Sequence, residues 1–156
     1  MFCEKFPVAR AFLGRAERLH GWLERSIWRF ETTAKLQREM NAKIRAAGVT
    51  PDEEDTVTKL VQEMRPRNDA ICDELKAVTR EIEDTIRAAT DDNAAAVLEE
   101  RYLCFHSIEE IMERCHWSRR WAIYLHMKGL EDVERYLAVK KESYAEKNEE
   151  SSTLHR

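Results

Sequence analysis

The chain has 156 residues, of which 43% are hydrophobic and 36% charged, and its formal net charge is −4. This length suits one domain, or a small domain with a helical extension. The 4 glycines and 3 prolines are too few for the turns of an all-β sandwich, and the glycine spacings match neither a dinucleotide-binding nor a P-loop fingerprint. The composition therefore predicts an all-α protein.

The net charge conceals an uneven distribution along the chain. Residues 1–50 hold 10 basic and 5 acidic side chains, residues 51–100 hold 6 and 15, and residues 101–156 hold 10 of each. Local charge rather than the total determines what a surface attracts. A basic first segment followed by an acidic second one predicts that the two segments pair with each other.

The first segment is predicted to form one long helix over residues 8–47. Its apolar side chains recur at steps of three and four, the spacing of a helix with one buried stripe. Gly48 then offers the left-handed conformation that ends a helix. Thr50 and Pro51 follow with the pattern of a new helix start, a threonine cap and a proline in the first turn.

The second segment carries a heptad seam of apolar side chains from Val57 to Ile86, and this seam continues through Pro66. A proline inside a helix removes one backbone donor and favours a kink. Because the register survives the proline, one kinked helix is predicted rather than two separate helices. Asn68 lies on the seam, where a single polar residue can fix register or partner number.

The short connection between these two helices predicts an antiparallel, coiled-coil-like hairpin over residues 8–90. Such a hairpin suits oligomerisation or contact with a partner. The same charge complementarity could operate within one chain or between two chains, so a monomeric hairpin and a homo-oligomer both remain open. A homo-oligomer through the hairpin is the favoured interpretation.

Capping residues mark three further helices. Asp91 or Asp92 can cap the first, which ends near Cys104, whereas Ser107 caps the second and Ser118 the third. The second of these helices is short and is followed by a tight turn at residues 115–117. A short helix, a tight turn and a longer helix that opens with Ser-Arg-Arg have the layout of a DNA-binding helix-turn-helix.

This helix-turn-helix domain is predicted over residues 91–144, and residues 145–156 are predicted to be a disordered tail because they are polar. Apolar side chains fall where the paired helices must bury them: Ile108, Ile111, Cys115, Ala122, Leu125 and Leu130. Guanidinium groups at the outward start of the last helix can reach guanine edges or phosphates. Five side chains lie there: Ser118, Arg119, Arg120, Ile123 and Tyr124.

Residues 98–137 resemble sigma-70 region 4, and more closely the small prophage regulators of the ArpU and RinA kind, in which such a domain follows a long helical hairpin. The resemblance is carried by Arg101-Tyr102, Ser107-Ile108-Glu109-Glu110-Ile111, Trp117-Ser118-Arg119-Arg120, Tyr124-Leu125-His126 and Leu130. It implies a recognition helix that begins at Ser118, with Lys128 as a contact to the DNA backbone. It also implies RNA polymerase as a candidate partner.

The chain differs from the usual pattern of that family at three positions, where it has His116 in the turn, Trp121 and Ala122. His116 is predicted to adopt a left-handed conformation in place of the usual glycine. Trp117 and Trp121 are predicted to be core or rim residues rather than side chains that stack on nucleotides.

Metal and catalytic sites are not predicted. Glu-x-x-His occurs twice, but Glu17 lies on the solvent side of its helix and the second pair ends in the turn at His116. Cys104-x-His106 is not a usual zinc-ligand spacing. Because no catalytic motif was found, the protein is expected not to be an enzyme and to need no cofactor.

The favoured interpretation is a phage-type, sequence-specific transcription regulator that binds double-stranded DNA. Two alternatives remain open: a DNA-packaging protein such as a terminase small subunit, and a helical interaction module that does not bind DNA. Four separated cysteines, with neither a signal peptide nor an apolar run of 18 residues, predict reduced thiols, a cytoplasmic location and no membrane contact.

Overall fold

A computed structural model describes residues 5–49 and 53–153, and the side chains of 5–49 and 59–153. Within these ranges the chain is all-α, as predicted, without a strand. The helices are α1 (Pro7–Leu13), α2 (Arg15–Ala46), α3 (Glu53–Ala89), α4 (Asp92–Tyr102), α5 (Ile108–Cys115) and α6 (Arg119–Thr153). No described helix combines the length and apolar character needed to span a membrane.

The chain divides into two compact units, and neither matches the predicted hairpin domain. The first unit joins the residues before Arg18 to those from Val78 onward, and the second unit contains residues 18–77. The predicted boundary at residue 90 is therefore not where the contacts divide the chain. The physical reason is a shared core, because side chains of α1 and of the last turns of α3 are as fully buried as those of α4 to α6.

The core of the first unit is built around α6, which packs against α1, α4 and α5. Its large side chains are at most 1% exposed: Leu13, Ile82, Ile86, Val97, Leu98, Ile111, Leu125, Leu130 and Val133. The predicted inward residues of the helix-turn-helix are thus buried, although Ile108 and Cys115 are only half-buried. This core fixes the inward face of α6 and leaves its outward face to solvent.

The helix predicted over residues 8–47 is interrupted at Gly14, so that prediction is wrong at its first end. Gly14 caps α1 with its backbone N–H bonded to the Arg10 carbonyl at 3.0 Å. The backbone N–H of Ala9, in the first turn of α1, donates to Glu134 Oε2 on α6 at 2.6 Å. The first turn of a helix has no internal partners for its N–H groups, and here a distant carboxylate supplies one.

The second unit confirms that α3 continues through Pro66 as one helix. Ser26 Oγ donates to Asn68 Oδ1 at 2.6 Å, so the polar residue on the predicted seam is bound by α2 within the same unit. Few described side chains of this unit are buried, namely Leu19, Ala34 and Asn41. The paired helices therefore leave much apolar surface exposed.

The segment predicted to be a disordered tail is helical as far as the described residues extend, to residue 153. α6 continues to Thr153, whose Oγ1 donates to the carbonyls of Glu149 and Glu150 at 2.9 Å each. The segment has no proline or glycine, and five of its nine described residues favour helix: Ala145, Glu146, Lys147, Glu149 and Glu150. Residues 154–156 lie outside the described residues.

Gly129 is expected to be intolerant of alanine although it lies inside a helix. A Cβ atom at this buried position would lie 2.9 Å from Leu98 Cδ1 and 3.0 Å from Leu98 Cγ, and Leu98 is itself fully buried. Glycine to alanine in an open helix gains about 1 kcal/mol. Here overpacking is expected to dominate, and the free energy of unfolding should fall by about 1–3 kcal/mol in urea titrations.

Gly21→Ala is the matched control, because a Cβ atom there meets only the mobile Nη1 of Arg25, at 3.3 Å. This variant should be as stable as the original protein or slightly more so. A Gly129→Ala protein that unfolds at the same urea concentration as the original would contradict the close packing of α4 on α6.

Candidate nucleic-acid interface

The approach to α6 is fixed by caps at both ends of α5. Ser107 Oγ accepts a hydrogen bond from the Glu110 N–H at 3.2 Å, the first half of the predicted capping box. His116 ends the helix with φ 54° and ψ 41°, so the predicted left-handed turn without glycine is confirmed. The Trp117 N–H closes the turn on the Met112 carbonyl at 3.0 Å.

α6 begins immediately after this turn. Ser118 Oγ accepts from the Trp121 N–H at 3.2 Å, which is the predicted cap. On the inward side, Ala122 and Leu125 are at most 1% exposed and lie in the same core as Ile111 of α5. The short helix, the turn and the long helix therefore hold the start of α6 in place, in the element order of a helix-turn-helix.

The structure brings the predicted DNA-binding side chains together on the exposed side of this helix start. Ile123 is 40% and Tyr124 53% exposed, and Ser118 is exposed beside them. Arg119 Nη1 lies 3.5 Å from Glu109 Oε1, with both side chains largely exposed, and a surface pair of this kind is weak. Arg120 is exposed and makes no ion pair with any described residue.

Lys128 differs from the other predicted residues because its ammonium group lies close to a carboxylate of the same unit. Its Nζ lies 2.6 Å from Asp91 Oδ2, while Asp91 Oδ1 caps α4 by accepting from the Ala94 N–H at 2.9 Å. The hydrogen bond from Lys128 lowers the pKa of Asp91, and the same bond raises the pKa of Lys128. The pair links α4 to α6, a role that the sequence did not predict.

Trp121, predicted to be a core or rim residue, belongs to the exposed surface. Its ring is 42% exposed and stacks on Tyr124 with centroids 5.5 Å apart and an interplanar angle of 23°. The two rings line a shallow depression with Ser118 and Arg120. The spacing of three residues, which places side chains on one helix face, was the signal in the sequence. Trp117 is half-buried.

A buried histidine lies behind this surface. The Tyr102 hydroxyl is hydrogen-bonded to His126 Nε2 at 3.0 Å, and the two rings stack. Burial, with the positive charges of Arg10 and Arg101, lowers the pKa of His126 to about 4. The imidazole is therefore neutral at pH 7 and joins α4 to α6 through its contact with Tyr102.

The neutral histidine predicts an acid-sensitive first unit. A folded pKa near 4 against an unfolded value near 6.5 means that the unfolded chain binds more protons between these pH values. Stability is therefore complete above about pH 6.5 and is lost as pH falls towards 4, by about 3 kcal/mol in total. Urea titrations at several pH values give the free energy of unfolding. Between pH 7 and 4.5 this free energy should fall by about 2 kcal/mol less in His126→Phe than in the original protein. Equal losses in both proteins would rule out His126 as the cause.

The residues considered for metal binding have other partners or lie apart. His106 Nδ1 is hydrogen-bonded to Glu100 Oε2 at 2.5 Å, and Arg114 Nε lies 3.2 Å from the same oxygen. Glu17 lies 3.8 Å from Arg101 Nη1. Among the described side chains no three potential ligands form a group. Cys72, Cys104 and Cys115 are free thiols, and Cys3 lies outside the described residues.

The chain matches no family model, and no curated protein or solved structure shows significant similarity to it. The described residues thus define an all-α protein in which α5, the turn at His116 and the start of α6 have the layout of a helix-turn-helix.

Proposed function

We propose that this chain is a sequence-specific transcription regulator of phage type that reads double-stranded DNA with the first turns of α6. One observation supports this most strongly. Six exposed side chains at 118–124 (two arginines, a serine, a tryptophan, an isoleucine and a tyrosine) project from a capped helix start whose inward face is fully buried. A rigid helix start with outward arginines is the element that enters a major groove in helix-turn-helix proteins.

The roles of these side chains follow from their chemistry. Arg120, with no ion-pair partner among the described residues, can donate two N–H groups of one guanidinium edge to O6 and N7 of a guanine. Arg119 can exchange its loose contact with Glu109 for a phosphate or a base. Ser118 and the free N–H groups of the first turn suit a phosphate, and Ile123 can contact a thymine methyl group.

The aromatic pair extends this surface beyond the predicted residues. Trp121 and Tyr124 present apolar ring faces next to Arg120, so a thymine methyl group beside a contacted guanine is the base pattern that best fits them. Lys128 is proposed to act first through Asp91, holding α6 in place. RNA polymerase remains a candidate partner through the resemblance to sigma-70 region 4.

The proposal is tested by titrating duplex DNA into the protein at several salt concentrations. Phosphate contacts release counterions, so the logarithm of the binding constant should fall steeply and linearly with the logarithm of salt concentration. No binding at low salt would favour the helical interaction module instead.

Sedimentation of the free protein separates the two DNA-binding functions, because a dimer supports a regulator and a ring of many subunits supports a packaging protein.

A further inference from the structure

The second unit carries a groove between α2 and α3 whose walls have the spacing of a helix-binding surface. The α2 wall is formed at steps of four, three and four residues by Trp22, Ser26, Arg29 and Thr33. The α3 wall repeats the same steps with Leu60, Met64, Arg67 and Ile71. Walls with heptad spacing match the side-chain rows of a further helix laid along the groove.

The apolar side chains that line the groove are open to solvent. Leu60, Met64 and Ile71 are only half-buried, and Trp22 at the edge is 57% exposed. The stretch from Trp22 to Thr33 is about 16 Å long at 1.5 Å per residue, which accommodates about three helical turns. A second depression shares Thr33 and Leu60 and continues the groove along the hairpin.

The groove is also lined by basic side chains whose charges are not neutralised by ion pairs within the described residues. Arg25, Arg29 and Arg67 line the groove and are all exposed, and none of them has an ion-pair partner among the described residues. This differs from the predicted pairing of a basic first helix with an acidic second one. At these three positions the hairpin presents its positive charge outward instead.

From this geometry we infer that the groove is a docking site for an acidic amphipathic helix of a partner protein. The apolar lining takes aliphatic side chains of the partner helix spaced i, i+4 and i+7, as in other helix-in-groove interfaces. The three guanidinium groups pair with carboxylates that flank those anchors. Charge complementarity of this kind speeds association and selects the partner.

A second copy of this chain and a nucleic acid fit the groove less well than an acidic helix does. A second copy laid groove against groove would bring six arginines together, and like charges facing each other disfavour that contact. The phosphates of a nucleic acid would pair with the arginines. However, the phosphate backbone offers no aliphatic groups to pack against Leu60, Met64 and Ile71.

The test is fluorescence anisotropy of the full-length protein with a labelled synthetic helix. The probe is a peptide of about 18 residues, long enough to cover the groove, with leucines at i, i+4 and i+7 and flanking glutamates. We expect a dissociation constant in the micromolar range that rises with salt. A peptide with lysine in place of each glutamate should bind at least about tenfold more weakly.

Variants then locate the site. Arg25→Glu/Arg29→Glu should weaken binding of the acidic peptide by at least about tenfold and strengthen binding of the lysine peptide. The control is Arg38→Glu, because Arg38 is exposed and lies outside the groove lining. It should leave the affinity for both peptides unchanged. Circular dichroism confirms that each variant is folded. No binding of the acidic peptide, or equal binding by the groove and control variants, would overturn the inference. So would sedimentation showing that the same groove variant abolishes self-association, or DNA competing for the site.

Discussion

Replacing both Arg119 and Arg120 by alanine is expected to weaken binding to a specific DNA target by roughly 10- to 10⁴-fold. Each bidentate contact between an arginine and a guanine contributes on the order of 1–3 kcal/mol of discrimination, and about 1.4 kcal/mol corresponds to a factor of ten. Both side chains are exposed and neither contributes to the core. The fold should therefore persist, which circular dichroism would verify, while anisotropy with labelled target DNA measures the loss.

The matched control is Lys140→Ala/Lys141→Ala, which removes two exposed positive charges from the same helix. These residues lie about 30 Å further along α6 at 1.5 Å per residue. The control should weaken binding only slightly. Equal affinity of the double arginine variant and the original protein for a selected target at moderate salt would contradict reading by α6.

Leu125→Asp is expected to unfold the first unit. Leu125 is 1% exposed within an apolar core, where an unpaired carboxylate has no compensating partner. A loss of more than about 4 kcal/mol is expected for such a change, a large part of the 5–15 kcal/mol that holds a typical domain folded. Amide exchange should show lost protection in α4, α5 and the first half of α6.

The second unit should keep its protection in this variant, because residues 18–77 form a separate compact unit. Val139→Asp is the control, since Val139 lies on the same helix but is 61% exposed and should be nearly neutral. Loss of protection throughout the chain in Leu125→Asp would show that the two units unfold as one cooperative structure, contrary to this expectation.

Local features of the fold were predictable because their causes lie within a few residues. The caps at Asp91, Ser107 and Ser118 each use a side-chain oxygen three residues before the bonded N–H. The apolar seam that continues through Pro66 correctly indicated a single α3 helix. Four buried positions of the helix-turn-helix, Ile111, Ala122, Leu125 and Leu130, followed from the 3.6-residue period.

Features that depend on distant residues were not predictable from a single sequence. Gly14 has helical backbone angles, so no local signal distinguishes a break there from a continuous helix. The break is accompanied by a contact of Ala9 with Glu134, 125 residues away. The division of the chain into units likewise depends on which distant helices share a core.

The candidate interface was predicted in part. The exposed positions at 118–124 follow from the helical period, but the period alone could not show that Lys128 reaches Asp91, 37 residues away. Trp121 was predicted to be a core or rim residue, and the helical period did not show which. Its stacking on Tyr124 at the surface places it among the residues proposed to contact bases.

The central claim is that the start of α6 reads a DNA sequence, and selection of bound duplexes from a random pool tests it most directly. The original protein should enrich one motif that contains guanine beside thymine, in keeping with the arginines and the aromatic pair. Arg119→Ala/Arg120→Ala should enrich none. A pool that stays random with the original protein, or an identical motif recovered with the double variant, would contradict the claim.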